Sequence, residues 1–573
     1  MKVFSKRNIT IYTILIFIVM MLTFEVGFCN EQAIHQFLHN EEITYNFSLC
    51  RIVVYLVFII IYCVFKKKFL EVAEETLKNK LKRIITYIVI IGALICSAWF
   101  LRCAMKNGID YVRFCSSRII ISLMTTLFVI YVSKDVCKNV IVTACTFGII
   151  FTFTTDYNNA IDEKKHFMSA LNISFLNFDY ANNPITDIEI EKLPQWTKYV
   201  DIDDFLKNDY APSITDNINK EDTPSTPANY NILVYIFPGL GIAIARILNG
   251  SIIDMYILGR IMNLIIYTIL VYISMKILPF KKNIFFVIAF MPFMLLLAAS
   301  YSADGMCLGL IYIFTAYCFK LYKETETISL KQFIILIILF VVMLIGKGIG
   351  YMPIGILIFM LPLKKTIKNN KKYWPIMIVT SIIFIILAVF GFVYAKNNKL
   401  STEGDNRGEV GINSVEQFEL ILTNPILDIK VASNHILKTL LNFDWIKTLQ
   451  HDVFFTTDYS GNVMLVTLIF ILFVALTEDD CNFKIKNKIV LVLAFMLSYG
   501  MTSVILYLSF TPVGELYILG YQARYIFPIL PLLLCCISNN KVKCEKSENR
   551  NMNIAMISGA FQVIGLVLLT SIK

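Results

Sequence analysis

Apolar runs, most of them roughly 17 to 25 residues long, recur along this chain, and nothing else constrains its fold as tightly. They lie at about 8–28, 49–65, 84–101, 118–133 and 139–155 and, after a long polar stretch, at about 256–279, 283–300, 306–322, 330–346, 351–363, 375–395, 461–477, 487–508, 525–538 and 553–571. A segment in hydrocarbon must satisfy its own backbone, which leaves helices or a closed barrel, and these runs lack the alternation of barrel strands. The fold class expected is therefore all-α, a polytopic membrane helix bundle of about 15 transmembrane helices. With 573 residues, 57% hydrophobic and only 16% charged, and a mean hydropathy of +0.66, the chain is too apolar for a soluble protein of this length.

Charge then orients the bundle. The net charge of +10 sits largely in lysines of the short connectors, where it sets topology, so no nucleic-acid partner is needed to explain it. Lys2, Lys6 and Arg7 precede an apolar core from Ile9 to Cys29 with no A-x-A-like cleavage site, which reads as an uncleaved first helix with a cytoplasmic N-terminus. The basic tract from Lys66 to Arg83 places the second connector in the cytoplasm and the 156–229 stretch outside. That stretch holds fourteen Asp and Glu against six Lys. The segment with Arg102, Lys106, Arg113 and Arg118 runs against the rule.

The run from Tyr230 to Leu248 decides the rest. If it crosses, Lys281 and Lys282, the cluster from Lys364 to Lys372 and the tract from Lys541 to Arg550 all fall outside, three violations of the positive-inside rule. If it lies along the surface or re-enters, all three become cytoplasmic. Pro238, Gly239 and Gly241 interrupt it, and Arg246 in lipid would cost roughly 2.5 kcal/mol or more, so the second topology is expected. The organisation follows: 1–135 extra N-terminal helices, 136–155 the first core helix, 156–255 an exported loop with acids and an interfacial helix, 256–395 core helices, 396–460 a second exported loop, and 461–573 the C-terminal helices. Within the second loop, 425–444 has the pattern of a short amphipathic surface helix. The fourteen cysteines form no C-x-x-C pair or metal spacing, and Cys103 and Cys115 flank one short outer loop where they could pair.

Polar motifs interrupt the apolar runs, nearly all at the face assigned as external. Asp162 and Glu163, just past the fifth run, suit a general base toward a sugar hydroxyl or simply open a solvated acidic loop; His166 shares their face if the segment is helical. Arg260, after Gly259, is a phosphate ligand or an ion-pair partner for Asp254. Asp304 is either functional or the cap of a helix beginning at Gly305. Lys347, between Gly346 and Gly348, suits a phosphate or snorkels to the interface. Gln522, Arg524 and Tyr525 combine amide, guanidinium and aromatic groups fit for a phosphate, or anchor the interface. No Walker loop, dinucleotide fingerprint, H-E-x-x-H or G-x-S-x-G occurs, so the energy for any reaction must arrive with the substrate.

The order of the motifs carries a resemblance. Asp162-Glu163-x-x-His166-Phe167, Pro238 with Arg246, Gly259-Arg260 with Asn263-Leu264, Pro279-Phe280, Ser300-x-Ser302-Ala303-Asp304, Lys347, Asn424-Pro425 and Gln522-Ala523-Arg524-Tyr525-x-x-Pro528 together resemble the bacterial membrane family known as domain of unknown function 2142, over about residues 140–540. Lys164 and Lys165 stand where that family usually has a proline, and Ala523 where it has glycine. The family in turn is similar to the GT-C superfamily of glycosyltransferases, which draw on polyprenyl-phosphate sugars at the exported side. The resemblance implies a GT-C-like fold in a bacterial plasma membrane, with Asp162 or Glu163 as base and His166, Arg260, Asp304, Lys347, Gln522, Arg524 and Tyr525 as substrate ligands. The acceptor would be a glycan, glycolipid or protein. No cofactor is required, though a divalent cation would suit the carboxylates. The alternatives are a transporter or flippase for lipid-linked sugars, or a non-catalytic subunit of an envelope-polymer assembly.

Overall fold

The computed structural model describes residues 49–78, 121–155, 160–178, 230–362, 411–441, 459–478, 481–537 and 549–571, apart from single positions within them, and a few isolated positions elsewhere. The runs expected at 8–28, 84–101 and 375–395, but for isolated positions, the candidate Cys103–Cys115 pair and most of the acidic stretch lie outside the described residues. Among the described residues all regular structure is helical. The helices are α1 (Leu49–Lys78), α2 (Val136–Thr143, a π turn Ala144–Gly148, then Ile149–Thr154), α3 (Glu163–Ser174), α4 (Ile236–Ile247) and α5 (Ile252–Ile277). There follow α6 (Lys282–Ala289), α7 (Pro292–Ala298), α8 (Asp304–Glu324), α9 (Leu330–Lys347) and a 3₁₀ helix, Ile349–Met360. The remainder are α10 (Ser414–Thr423), α11 (Pro425–Ile436), α12 (Tyr459–Thr477), α13 (Ile485–Ser509), α14 (Leu530–Ile537) and α15 (Arg550–Ser571).

Four described spans, Val136–Phe153, Asp254–Ile277, Asp304–Glu324 and Ile485–Ser509, are long and apolar enough to cross a membrane. The 21 residues of α8 reach about 32 Å, which matches a hydrocarbon core of roughly 30 Å. This helix is the central post of the bundle, buried along most of its length. Gly309 lets α5 approach it closely: a Cβ there would lie 2.6 Å from the Cβ of Leu270. Small residues at such crossings are how membrane helices gain packing contacts in the absence of a hydrophobic drive between them.

Three runs expected as simple crossings take other forms. The 283–300 run is two short helices, α6 and α7, because Pro292 has no N–H and holds Met291 in extended backbone. The break is sealed within the protein: Tyr267 Oη donates to the carbonyl of Ala289, and Ser558 Oγ and Gln562 Nε2 donate to that of Phe290. The 351–363 run is the 3₁₀ helix, 12 residues with Pro353 inside. At about 2.0 Å per residue it spans roughly 24 Å, where the same count in an α-helix would give about 18 Å. The 525–538 run opens with a 3₁₀ turn at Ala523–Tyr525 before α14 begins.

The helix α4 has 12 residues, about 18 Å, and so falls short of a crossing. It lies between α3 and α5. Gly241 abuts the carbonyl of Leu258, 2.5 Å from where a Cβ would stand, and Arg246 donates to the Ser174 carbonyl (2.8 Å) with its guanidinium over the Phe175 ring. Arg246 is thus a clasp between α4 and the end of α3 rather than a charge in lipid. Ile236, Leu240 and Ile247 remain exposed along α4, the apolar stripe expected of an interfacial helix. Likewise α11 realises the helix expected at 425–444 and exposes Ile426 and Ile429.

Far from α3, the other end of the bundle is tied by a chain of polar bonds. Lys281, at φ +60°, is buried and donates through Nζ to the Glu478 carbonyl. The Glu478 carboxylate accepts from the N–H groups of Asn283 (3.1 Å) and Ile284 (3.2 Å) at the start of α6. Asn283 in turn donates to Asn551 (2.9 Å), and Asn551 donates to the Lys134 carbonyl (3.0 Å). The basic connectors at 134, 281–282 and 550 therefore share one end.

Candidate functional site

At the opposite end, the starts of α3 and α8, the upper part of α5 and the 522–525 turn converge. Asp162 immediately precedes α3 in the left-handed region (φ +58°, ψ +18°). A non-glycine residue there costs on the order of 1 kcal/mol, and aspartate tolerates it better than most. The turn splits two adjacent carboxylates between different environments. The Asp162 side chain stays 34% exposed, whereas Glu163 is buried.

Glu163 is fully engaged. Its Oε1 accepts from Arg260 Nε (2.8 Å) and from the Tyr301 N–H (3.0 Å), and its Oε2 accepts from Arg260 Nη2 (2.9 Å). Arg260 also donates through Nη1 to the carbonyls of Thr152 (3.1 Å) and Thr155 (2.8 Å), which satisfies carbonyls at the C-terminal end of α2. Its guanidinium lies 4.6 Å from the Tyr256 ring. Arg260 is 0% exposed, so its partner is Glu163, and the pair is a strut joining α2, α3, α5 and the 300–302 loop. Gly259 makes room for that strut: a Cβ there would stand 1.8 Å from the Tyr301 hydroxyl, which donates to the Met255 carbonyl (3.0 Å).

Arg524 occupies the mouth. It is 3% exposed, with Nη1 donating to Asp304 Oδ2 (3.4 Å) and Nη2 to Asp162 Oδ2 (3.2 Å) and to the Tyr525 hydroxyl (3.3 Å). Among the described residues its buried Nε–H has no partner, and the buried Oε1 of Gln522 has none either. Burial pulls the guanidinium pKa down, but Tyr525 and Asp162 outweigh it and the net shift is upward. Tyr351 holds the turn by donating to the Tyr525 carbonyl (3.1 Å).

Asp304 is the first residue of α8 and is itself held by Ser302, whose Oγ donates to Oδ2 (3.2 Å) and accepts the Asp304 N–H (3.1 Å). It is a helical residue rather than the cap of a helix beginning at Gly305. Asn263, one turn beyond Arg260, clamps the loop by donating to the carbonyls of Ser300 (2.7 Å) and Ser302 (3.1 Å). His166 shares α3 with Glu163 but is buried, hydrogen-bonded to Tyr235 (2.7 Å) and stacked on Tyr230 (5.4 Å, 18°). Lys347 ends α9, and its side chain lies outside the described residues.

The structure thus gathers Asp162, Asp304 and Tyr525 around Arg524, with Gln522 two residues from it in the chain, and turns Glu163, Arg260 and His166 inward as support. Sequence reading missed Tyr301 and Tyr235 and used Asn263 only as a motif neighbour. A polar residue at i+3 from Arg260 on an apolar helix was the available signal for Asn263. Among the described residues, no group of three or more His, Cys, Asp or Glu is placed to hold a metal ion.

A family model described as predicted membrane protein (DUF2142) matches residues 145–533. No curated protein and no solved structure matches the chain.

Proposed function

The chain belongs to the DUF2142 family of predicted membrane proteins, and on that premise we propose that it is an integral-membrane glycosyltransferase. It moves a sugar from a polyprenyl-phosphate carrier to a glycan, glycolipid or protein acceptor at the extracytoplasmic face of a bacterial plasma membrane. The bundle has about 15 crossings, the described spans among them, with Asp162 and Arg524 opening outward. One observation carries the reading: a buried guanidinium, Arg524, stands between a buried carboxylate and a partly open one with its Nε–H unpartnered. A buried donor without an acceptor marks a place where a ligand atom belongs.

Asp162, the carboxylate that keeps solvent access, is the general base, and Glu163 is structural. The acceptor hydroxyl attacks the anomeric carbon and its proton passes to Asp162. The bond from that carbon to the phosphate oxygen breaks, and the polyprenyl phosphate leaves with the electron pair. Arg524 gains from the charge that develops on the departing phosphate, and Lys347 at the end of α9 supplies a second positive group. Transport would call for broken helix ends that line an open path. The break between α6 and α7 instead has its carbonyls taken by Tyr267, Ser558 and Gln562.

Purified protein in lipid nanodiscs, incubated with a panel of polyprenyl-phosphate sugars and a polyol acceptor, is expected to release polyprenyl phosphate from at least one of them. If none releases carrier while vesicle assays show the same lipids crossing the bilayer, the protein is a transporter.

A further inference from the structure

The occupancy of the Arg524 guanidinium is uneven, and the unevenness has a chemical meaning. A guanidinium offers two forks, one along the edge of Nε and Nη2 and one at the end between Nη1 and Nη2. Arg260 shows the first fork filled, its Nε and Nη2 both bound to the Glu163 carboxylate. On Arg524, Nη2 donates to Asp162 and Tyr525, while Nε has no partner among the described residues. Nη1 is taken by Asp304, which is buried and fixed by Ser302.

A bidentate phosphate on the Nε–Nη2 edge needs a proton of Nη2, the nitrogen that Asp162 now binds. Asp304 is the lasting counter-ion, bound to an atom outside that edge. Asp162, 34% exposed and on a turn of the backbone, is the partner that can leave. The unpartnered oxygen of Gln522, two residues from Arg524, is a buried acceptor and suits a hydroxyl of the sugar rather than the phosphate.

Resting on the transferase reading above, we infer that Asp162 and the donor's phosphate compete for the Nε–Nη2 edge of Arg524, so that donor binding is what frees Asp162 to act as base. The site then has a compulsory order. Without donor, Asp162 is ion-paired and accepts no proton from an acceptor or from water. With donor, the phosphate fills the edge, and the displaced carboxylate is left beside the sugar it must serve. The arrangement protects the empty enzyme from idle chemistry and ties activation of the base to the presence of an isoprenoid phosphate.

The test is equilibrium binding of polyprenyl monophosphate, the product-like probe, to the full chain in nanodiscs, for wild type, Asp162→Asn and Arg524→Gln. Asparagine adopts the left-handed conformation at least as readily as aspartate, so the turn survives the substitution. Loss of a competing, partly exposed ion pair is expected to tighten binding about five-fold in Asp162→Asn, and Arg524→Gln is expected to weaken it at least about ten-fold. Inorganic phosphate added at millimolar concentration is expected to displace little of the lipid; full displacement makes free phosphate the ligand and overturns the lipid assignment. Binding to wild type with unchanged or weaker affinity in Asp162→Asn overturns the competition and leaves the transferase reading standing. No binding to wild type overturns the donor class, and both ideas with it.

Discussion

Glu163→Gln tests whether this carboxylate is structural or is the base of the proposed transfer. Glu163 and Arg260 are each 1% exposed or less, and four hydrogen bonds meet on the two Glu163 oxygens, from Arg260 Nε and Nη2 and from the N–H groups of Tyr301 and Ala160. Glutamine keeps the shape but turns an NH₂ group toward one of those donors and leaves the guanidinium without a counter-charge. Breaking a buried pair in this way costs about 3–5 kcal/mol, a large part of a typical net stability of roughly 5–15 kcal/mol. Replacing both partners by apolar residues of similar volume, Glu163→Leu with Arg260→Met, removes the stranded charge. It still leaves the carbonyls of Thr152 and Thr155 and the Tyr301 N–H without partners, at about 1–3 kcal/mol for each buried group. The double variant should therefore be destabilised at least as much as Glu163→Gln when unfolding of the detergent-solubilised protein is followed by heat or denaturant. Glu163→Gln with an unshifted unfolding midpoint and abolished sugar transfer would refute the argument, because it would make Glu163 the base.

Other outcomes follow from particular contacts. Gly259→Ala places a methyl 1.8 Å from the Tyr301 hydroxyl and 2.5 Å from its Cζ, so folded yield and thermal midpoint should fall, and adding Tyr301→Phe should restore only part of the loss because the ring remains. His435 on α11 is buried against Tyr499 and Tyr521 and bonded to Ser503 (2.9 Å), and burial, aided by Lys438, pushes its pKa from 6.5 down to about 4. Between those values the unfolded chain binds a proton that the folded chain refuses, so stability should fall as pH drops from 6.5 toward 4, and His435→Gln should flatten that part of the pH–stability profile.

The helical class and the gathering of polar motifs were legible because both rest on strong local signals: run length for the helices, and lysine placement, which set the motifs at the end of the bundle away from the basic connectors. Positive charge argued that Tyr230–Leu248 does not cross, and the 12-residue α4 agrees in length. The forms of the 283–300 and 351–363 runs were harder, since periodicity is silent in segments that are apolar all round. Pro292 and Pro353 were the visible cues, and their consequences depend on whether nearby side chains such as Tyr267 and Gln562 can satisfy the freed carbonyls. Within the site, sequence could not rank Asp162 against Glu163. Their separation arises from one positive φ and from an arginine 97 residues away in the chain. For the same reason Arg260 looked like a free cation suited to phosphate, and only the fold shows it committed to Glu163.

The account comes down to Asp162 and Arg524 acting on one lipid-linked sugar. The most direct measurement is release of polyprenyl phosphate from its sugar ester by wild type and by Asp162→Asn, both shown to unfold at the same temperature. The account predicts turnover in wild type and a loss of at least about 100-fold in the variant, the scale of a general base. Equal rates in the two proteins would contradict it.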